Sequence, residues 1–405
     1  MQPAANTSRV LLLVTLFFVT GAASSSQTAS RQSAPSPLQD AAKQLSAGKL
    51  DQAEQDLQSV LRSNPQDYRA LDLLGVVRVL QHQEAKAEKL FEQVVKVKPD
   101  FAPGHAHLGL LYLRLGRPQD ALPELQQALQ LDPGRTDVAG ALAHILLDQA
   151  KAASDAGDWN GALRSLIEAR KNAPDNADVQ YEFAMVARKL SLVDDEIEAF
   201  QQTLKLRKND ALALFYLGFA LMDRARYDDA RQQFAQYVQL RPDDPSGYGA
   251  MGMALAALGR SEDAHAQFER SIALAPTQSE SYYRLGLLDL DAGDYEAAAR
   301  DLHKALEYKP NDAGTETALG KVEFEQKHYP QAVSLLQQAV SQGDSLQEAH
   351  YYLGLTFARM GRKQESSEQL EIAARLEQER KESGRHVLRL NKPEDPGKQE
   401  PNSPR

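Results

Sequence analysis

The sequence contains no cysteine. That absence excludes disulfides, thiolate metal sites and a lipid anchor carried on a cysteine, and leaves packing as the source of stability. Long apolar runs are missing from its interior, where nothing approaches the ~20 residues needed to cross a bilayer. No Asn-x-Ser/Thr sequon follows the first few residues, which favours a bacterial extracytoplasmic setting over a eukaryotic secretory one. Phosphate-cradling glycine loops, the G-x-S-x-G elbow and H-E-x-x-H are absent too. The histidines do not fall in the i,i+4 pairs that metal sites on helices use: His105 and His107 are two apart, and His144, His265, His303, His328 and His350 are scattered. Each is expected on the surface or in a groove. The reading is of a protein that is not an enzyme, with no catalytic residue, no metal ligand and no cofactor.

Charge narrows the partners. The chain of 405 residues has 46 basic and 56 acidic side chains, a formal charge of −10. Arg9 and the apolar stretch Val10 to Val19, followed by Gly21-Ala22-Ala23, have the form of a secretory leader over residues 1–23. Cleavage would remove one of the 46 basic residues, leaving 45 against 56 and a charge of −11. A balance this acidic argues against nucleic acid or anionic lipid as the main ligand. The expected location is extracytoplasmic, in the periplasm. The alternative is an uncleaved N-terminal anchor facing the same compartment.

What is present is a ruler. Gly75 and Gly109, and again Gly218, Gly252, Gly286, Gly320 and Gly354, lie on a period of 34 residues, the second set shifted by seven, and in most units an Ala follows twelve residues after the Gly. Such a period means one two-helix unit repeated many times. Apolar residues three and four apart make each half an amphipathic helix, here called A and B. Gly or Ala at the eighth place and Ala at the twentieth let the two helices approach closely. Gly116, Gly157, Gly259, Gly293 and Gly361 break the chain between A and B, while Pro65, Pro99, Pro133, Pro174, Pro242, Pro276 and Pro310 end B.

The unit is clearest around Gly252, with Tyr248 before it and Leu255, Gly259, Ala264, Phe268 and Pro276 after. Set against W-x2-L-G-x2-Y…A-x3-F…P, this resembles the tetratricopeptide repeat family. The resemblance implies an all-α fold, a right-handed superhelical solenoid of about ten helix-turn-helix repeats with helix A lining the concave side. Units begin near 34, 68, 102, 143, 177, 211, 245, 279, 313 and 347. One interval is 41 residues, between Pro133 and Pro174, and the extra seven lengthen the helix from Thr136 to Ala156. The organisation is a leader over 1–23, a Ser/Pro-rich linker over 24–36, the array over 37–380 and a disordered tail over 381–405. The fifth unit departs most, with Ser191 for the turn Gly, Glu196 for the small Ala and Lys208 for the closing Pro.

Fifth, ninth and twelfth places share one face of helix A. From Tyr181 onward they form a largely apolar stripe: Tyr181, Met185, Arg188, Phe215, Phe219, Met222, Met253, Tyr283, Leu287, Phe324 and Tyr351. These are the candidate groove residues for an extended or helical segment, with Met adding adaptability. Asp223, Glu280, Asp291, Glu325 and Glu348 rim the stripe and favour a segment carrying Lys or Arg. The clamp by which some members of the family grip a C-terminal carboxylate is absent, since no unit has Lys at the fifth place or Asn at the ninth. The expected function is a scaffold holding a protein or peptide partner in envelope assembly or secretion. The alternative is a sensor holding a glycan or a small hydrophobic ligand in the same groove, and an enzyme borrowing a catalytic partner is a third reading. The oligomeric state is not legible.

Overall fold

The computed structural model describes residues 37–343 and 346–390. The leader, the linker and residues 391–405 lie outside the described residues. Twenty helices and no strand occur among those described. By their contacts they fall into two compact units, the first ending at Glu182 and the second beginning at Phe183.

The first unit holds the helix pairs α1 (Pro37–Ser46) and α2 (Leu50–Ser63), α3 (Tyr68–Leu80) and α4 (Glu84–Val97), α5 (Ala102–Arg114) and α6 (Pro118–Leu131), and α7 (Thr136–Asp155) and α8 (Trp159–Asn172). Helix α9 (Ala177–Lys189) contains the division. The second unit continues with α10 (Val193–Leu206), α11 (Ala211–Asp223), α12 (Tyr227–Leu240), α13 (Pro245–Ala257), α14 (Ser261–Leu274), α15 (Ser279–Ala292), α16 (Tyr295–Tyr308), α17 (Ala313–Glu325), α18 (Tyr329–Ser341), α19 (Gln347–Arg359) and α20 (Lys363–Leu390). Odd-numbered helices are A and even-numbered ones B. The extra seven residues appear as an early start to α7, which has 20 residues where its neighbours α5 and α9 have 13.

Several boundaries have a local cause. Asp67, Asp210 and Asp312 cap α3, α11 and α17 by accepting backbone N–H bonds of 3.0 to 3.1 Å from Ala70, Ala213 and Thr315. Between A and B the fifteenth place takes a left-handed backbone in every unit, whatever its residue: Gly48, Gly116, Gly157, Gly259, Gly293 and Gly361, and equally His82, Ser191, Ala225 and Lys327. That conformation lets the next N–H reach back to the carbonyl five residues earlier, as Arg226 does to Leu221 at 2.9 Å and His328 to Glu323 at 2.8 Å.

Packing inside a pair is set by the eighth, twentieth and twenty-fourth places. A Cβ added to Gly109, Gly252 or Gly354 would stand 2.7 Å from a side-chain atom of Leu125, Phe268 or Leu370 respectively, each sixteen residues on. Ala53, Ala87, Ala121, Ala162, Ala230, Ala264, Ala298 and Ala332 occupy the twentieth place with no exposed surface. The core is accordingly a row of small clusters between neighbouring pairs, such as Leu255, Ala264, Phe268 and Leu285, then Leu290, Ala298, Leu302, Leu319 and Val322.

Two expectations are corrected here. The array was expected to give way to a disordered tail at 381, but α20 carries on to Leu390. It does so across Gly384, with no proline before Pro393, and Glu377 supports the start of this stretch by pairing with Arg380 at 3.0 Å and with Lys381 at 3.2 Å. His105 and His350 are interior rather than on the surface or in a groove. They hold the fourth place, where the pattern has a large ring, and reach helix B: His105 Nδ1 lies 2.7 Å from Glu124, and His350 Nδ1 the same distance from Gln369.

Candidate functional site

Within each unit, consecutive A helices touch one another: α1 with α3, α3 with α5 and α5 with α7, then α11 with α13 and onward to α19. Consecutive B helices show no comparable contact among the described residues. The A sides are drawn together, so the A helices form the inner face of each unit. Of the candidate groove residues, Tyr181 belongs to the first unit, half-buried on α9, and the other ten to the second.

In the second unit the stripe is half in the core. Phe215 packs edge-on to Phe219 at 5.0 Å and against Tyr237 of helix B at 4.9 Å, while Phe219 meets the buried ring of Phe234 at 5.2 Å. Met253 lies on the cluster of Leu255 and Phe268, and Tyr283 and Leu287 on that of Leu302 and Leu319. Phe324 sits between Tyr352, 5.7 Å away, and Tyr329, 6.1 Å away. Met185, Arg188 and Met222 are half-buried, and Tyr351 is the most open, 42% exposed. For Phe215, Phe219, Met253, Tyr283, Leu287 and Phe324, one side is therefore fixed by helix B. The other side faces out of the A face.

Polar groups edge the stripe. Of the five expected rim carboxylates, two have internal partners: Glu280 accepts from Arg284 Nε at 2.7 Å, and Glu348 from Lys321 Nζ at 2.7 Å. Burial opposes the charge of Lys321, but Glu348 and the Tyr352 ring 5.2 Å away outweigh it and raise the ammonium above its ordinary range. Asp223, Asp291 and Glu325 stay exposed at the ends of α11, α15 and α17. Tyr283 has its phenol raised by burial and forms one wall of a pocket of about 210 Å³ with Glu280, Arg284, Lys309, Asp312 and Thr315.

Several residues on this face escape a reading by fifth, ninth and twelfth places. Tyr216 and Tyr352, at the sixth place, take part in the aromatic wall: Tyr216 stacks on Phe200 at 6.0 Å, and Tyr352 meets Tyr351 at 5.5 Å. Leu212, at the second place of α11, is 49% exposed. Extending the same 34-residue ruler to the second and sixth places would have found them. In the first unit, His107 of α5 meets the buried Asp72 of α3, with Nδ1 2.7 Å from the carboxylate. Burial disfavours a charged imidazole there, yet Asp72 prevails through charge and hydrogen bond and raises the His107 pKa.

No group of three or more metal-ligating side chains comes together among the described residues, and none of their helices is long and apolar enough to cross a membrane.

Comparison with known proteins fits this geometry. Models of the tetratricopeptide repeat match residues 102–135, 147–210, 181–245, 250–314 and 289–355, together more than half of the chain. No curated protein matches the sequence. Among solved structures, the chain is similar to MamA from Desulfovibrio magneticus RS-1, at 21% identity over 42% of this chain and 95% of that one, with a TM-score of 0.40. It is similar to the Cut9–Hcn1 hetero-tetramer of the APC/C, at 12% identity over 84% and 93%, with a TM-score of 0.47. It is also similar to YrrB, described as a repeat protein with an unusual peptide-binding site, at 16% identity over 46% and 97%, with a TM-score of 0.37. With a repeat model matched in unit after unit and the eighth, twentieth and twenty-fourth places packed as that repeat requires, the chain belongs to the tetratricopeptide repeat family.

Proposed function

We propose that this protein is a non-catalytic scaffold that holds a peptide or protein segment along the A face of residues 183–390, outside the cytoplasm, in envelope assembly or secretion. The observation that carries the reading is the stripe from Met185 to Tyr351. Phe215, Phe219, Met253, Tyr283 and Phe324 are anchored on one side by helix B and only half-buried on the other, as surfaces for apolar anchors are. Aromatic anchors held in place in this way lose little freedom when a ligand arrives. The leader-like segment 1–23 supports the extracytoplasmic placement, and its amino-acid pattern is the whole of that support.

The test places a photo-activatable side chain at Tyr351, at Leu212, or at Ile167 of α8, which is 54% exposed on a B helix and serves as the control. Crosslinking in intact cells, followed by mass spectrometry, should give one common protein segment from the first two positions and not from the third. The segment, made as a synthetic peptide, should bind the purified chain. Adducts equally from Ile167, or none from Tyr351 and Leu212, would remove the reading; a glycan in place of a peptide would establish the sensor alternative.

A further inference from the structure

Glu196 breaks the rule of its own repeat. At the twentieth place eight other units have an Ala with no exposed surface, and the last has Ser366. Here a carboxylate is put into the same seam, 2% exposed. Its one hydrogen-bond partner among the described residues is Arg188, whose Nη1 donates at 3.1 Å. Burial pushes the Glu196 carboxyl above its usual range against the pull of that guanidinium, and Asp223 pushes it the same way. An ion pair in such a place gives little stability over the Ala that the family uses, because the cost of desolvating the carboxylate offsets its attraction to the guanidinium.

What the pair does provide is a fixed arginine on the A face. The Arg188 guanidinium lies over the Tyr216 ring at 5.1 Å, and Tyr216 is itself stacked on the fully buried Phe200. The side chain remains 36% exposed, and its Nε and Nη2 meet no acceptor among the described residues. Phe215, in edge contact with Tyr216, and Phe219 beside it continue the apolar wall from that point. A planar fork with two donors still open, held against an aromatic ring, has the geometry that recognises a carboxylate.

We propose that Arg188 is the anchor for an aspartate or glutamate side chain within the bound segment, seated beside apolar residues on Phe215 and Phe219, and that Glu196 is the positioning residue that holds Arg188 in place. The inference rests on the A face being a peptide site. It adds the charge that the segment must carry at one end.

The test selects a random-peptide display library on the purified full chain, with the peptides fused through their C termini so that only side-chain carboxylates are available. Peptides selected by the wild type should be enriched in Asp and Glu. The best of them should bind at least about tenfold more weakly once its acid is changed to the amide or Arg188→Ala and Glu196→Ala are combined. The double variant brings the twentieth place back to the family's Ala and should melt no lower than wild type, which separates lost recognition from lost folding. Glu196→Ala alone should reduce the preference for acid over amide several-fold while the amide peptide binds as before, a difference that a purely structural role would not produce. Peptides without acidic enrichment, or acidic peptides that bind the double variant as tightly as the wild type, would overturn the inference and leave the groove reading standing. Selection of no peptide at all would overturn both.

Discussion

Gly218 lies directly beneath the ring of Phe234: a Cβ on the glycine would overlap the ring edge, and Phe219 and Phe215 rest against the same ring. The contact joins the repeat's period to the proposed binding face, because the ring that requires a glycine on helix A also supports the aromatic wall. Gly218→Ala should therefore cost about 1–3 kcal/mol, with Gly252→Ala similar. Thermal or denaturant unfolding of the full chain checks this, and an unchanged midpoint would mean that the helix pair is not in van der Waals contact there.

A second consequence concerns the turns. Ala225 and Lys327 adopt φ of 55° and 65°, in a conformation that Gly259 takes at 72°. A left-handed residue with a side chain costs about 1–2 kcal/mol, of which glycine's greater freedom in the unfolded chain offsets a part. Ala225→Gly and Lys327→Gly should each stabilise by about 0.5–1 kcal/mol, and Gly259→Ala should destabilise by a similar amount. Melting temperatures moving in the opposite directions would contradict the turn geometry.

Packing and the proposed recognition should separate along the stripe. Phe219, with its ring on Phe234, should be costly to truncate: Phe219→Ala is expected to lose about 2–3 kcal/mol, less than a fully buried aromatic because it is half-buried. Tyr351→Ala and Leu212→Ala, at 42% and 49% exposure, should stay within about 0.5 kcal/mol of wild type. Circular dichroism melts of the three variants test the difference, and binding assays should rely on the latter two.

The His107–Asp72 pair gives a pH dependence of known sign. Its raised pKa means that the folded state holds the proton more tightly than the unfolded chain, whose value is near 6.5. The stabilisation is complete below pH 6.5 and fades as pH rises through the folded value. The wild type should lose stability relative to Asp72→Asn across that alkaline-going window, and unfolding curves of the two proteins measured in parallel report it. A difference that grows with pH would reverse the assignment.

Much of this was legible in the sequence because a period of 34 residues constrains the eighth, fifteenth, twentieth and twenty-fourth places together. Ser191, Ala225 and Lys327 hide the turn to a reader looking for glycine, yet the hydrogen bond back along helix A forces the same backbone on them. Pairing between units was not legible. Asp72 and His107 are 35 residues apart, and only stacking α3 beside α5 brings them together. The internal pairing of Glu280 with Arg284 and of Glu348 with Lys321 likewise depends on rotamers, so a count of rim acids overstated the free negative charge. Glu196 was visible as a departure, but its partner was not.

Hydrogen exchange of the full chain, with and without the segment captured by crosslinking, tests the central claim most directly. The account predicts added protection in α11, α13, α15, α17 and α19, with α12, α14, α16 and α18 unchanged. Protection concentrated on the B helices, or spread evenly over both sets, would contradict it.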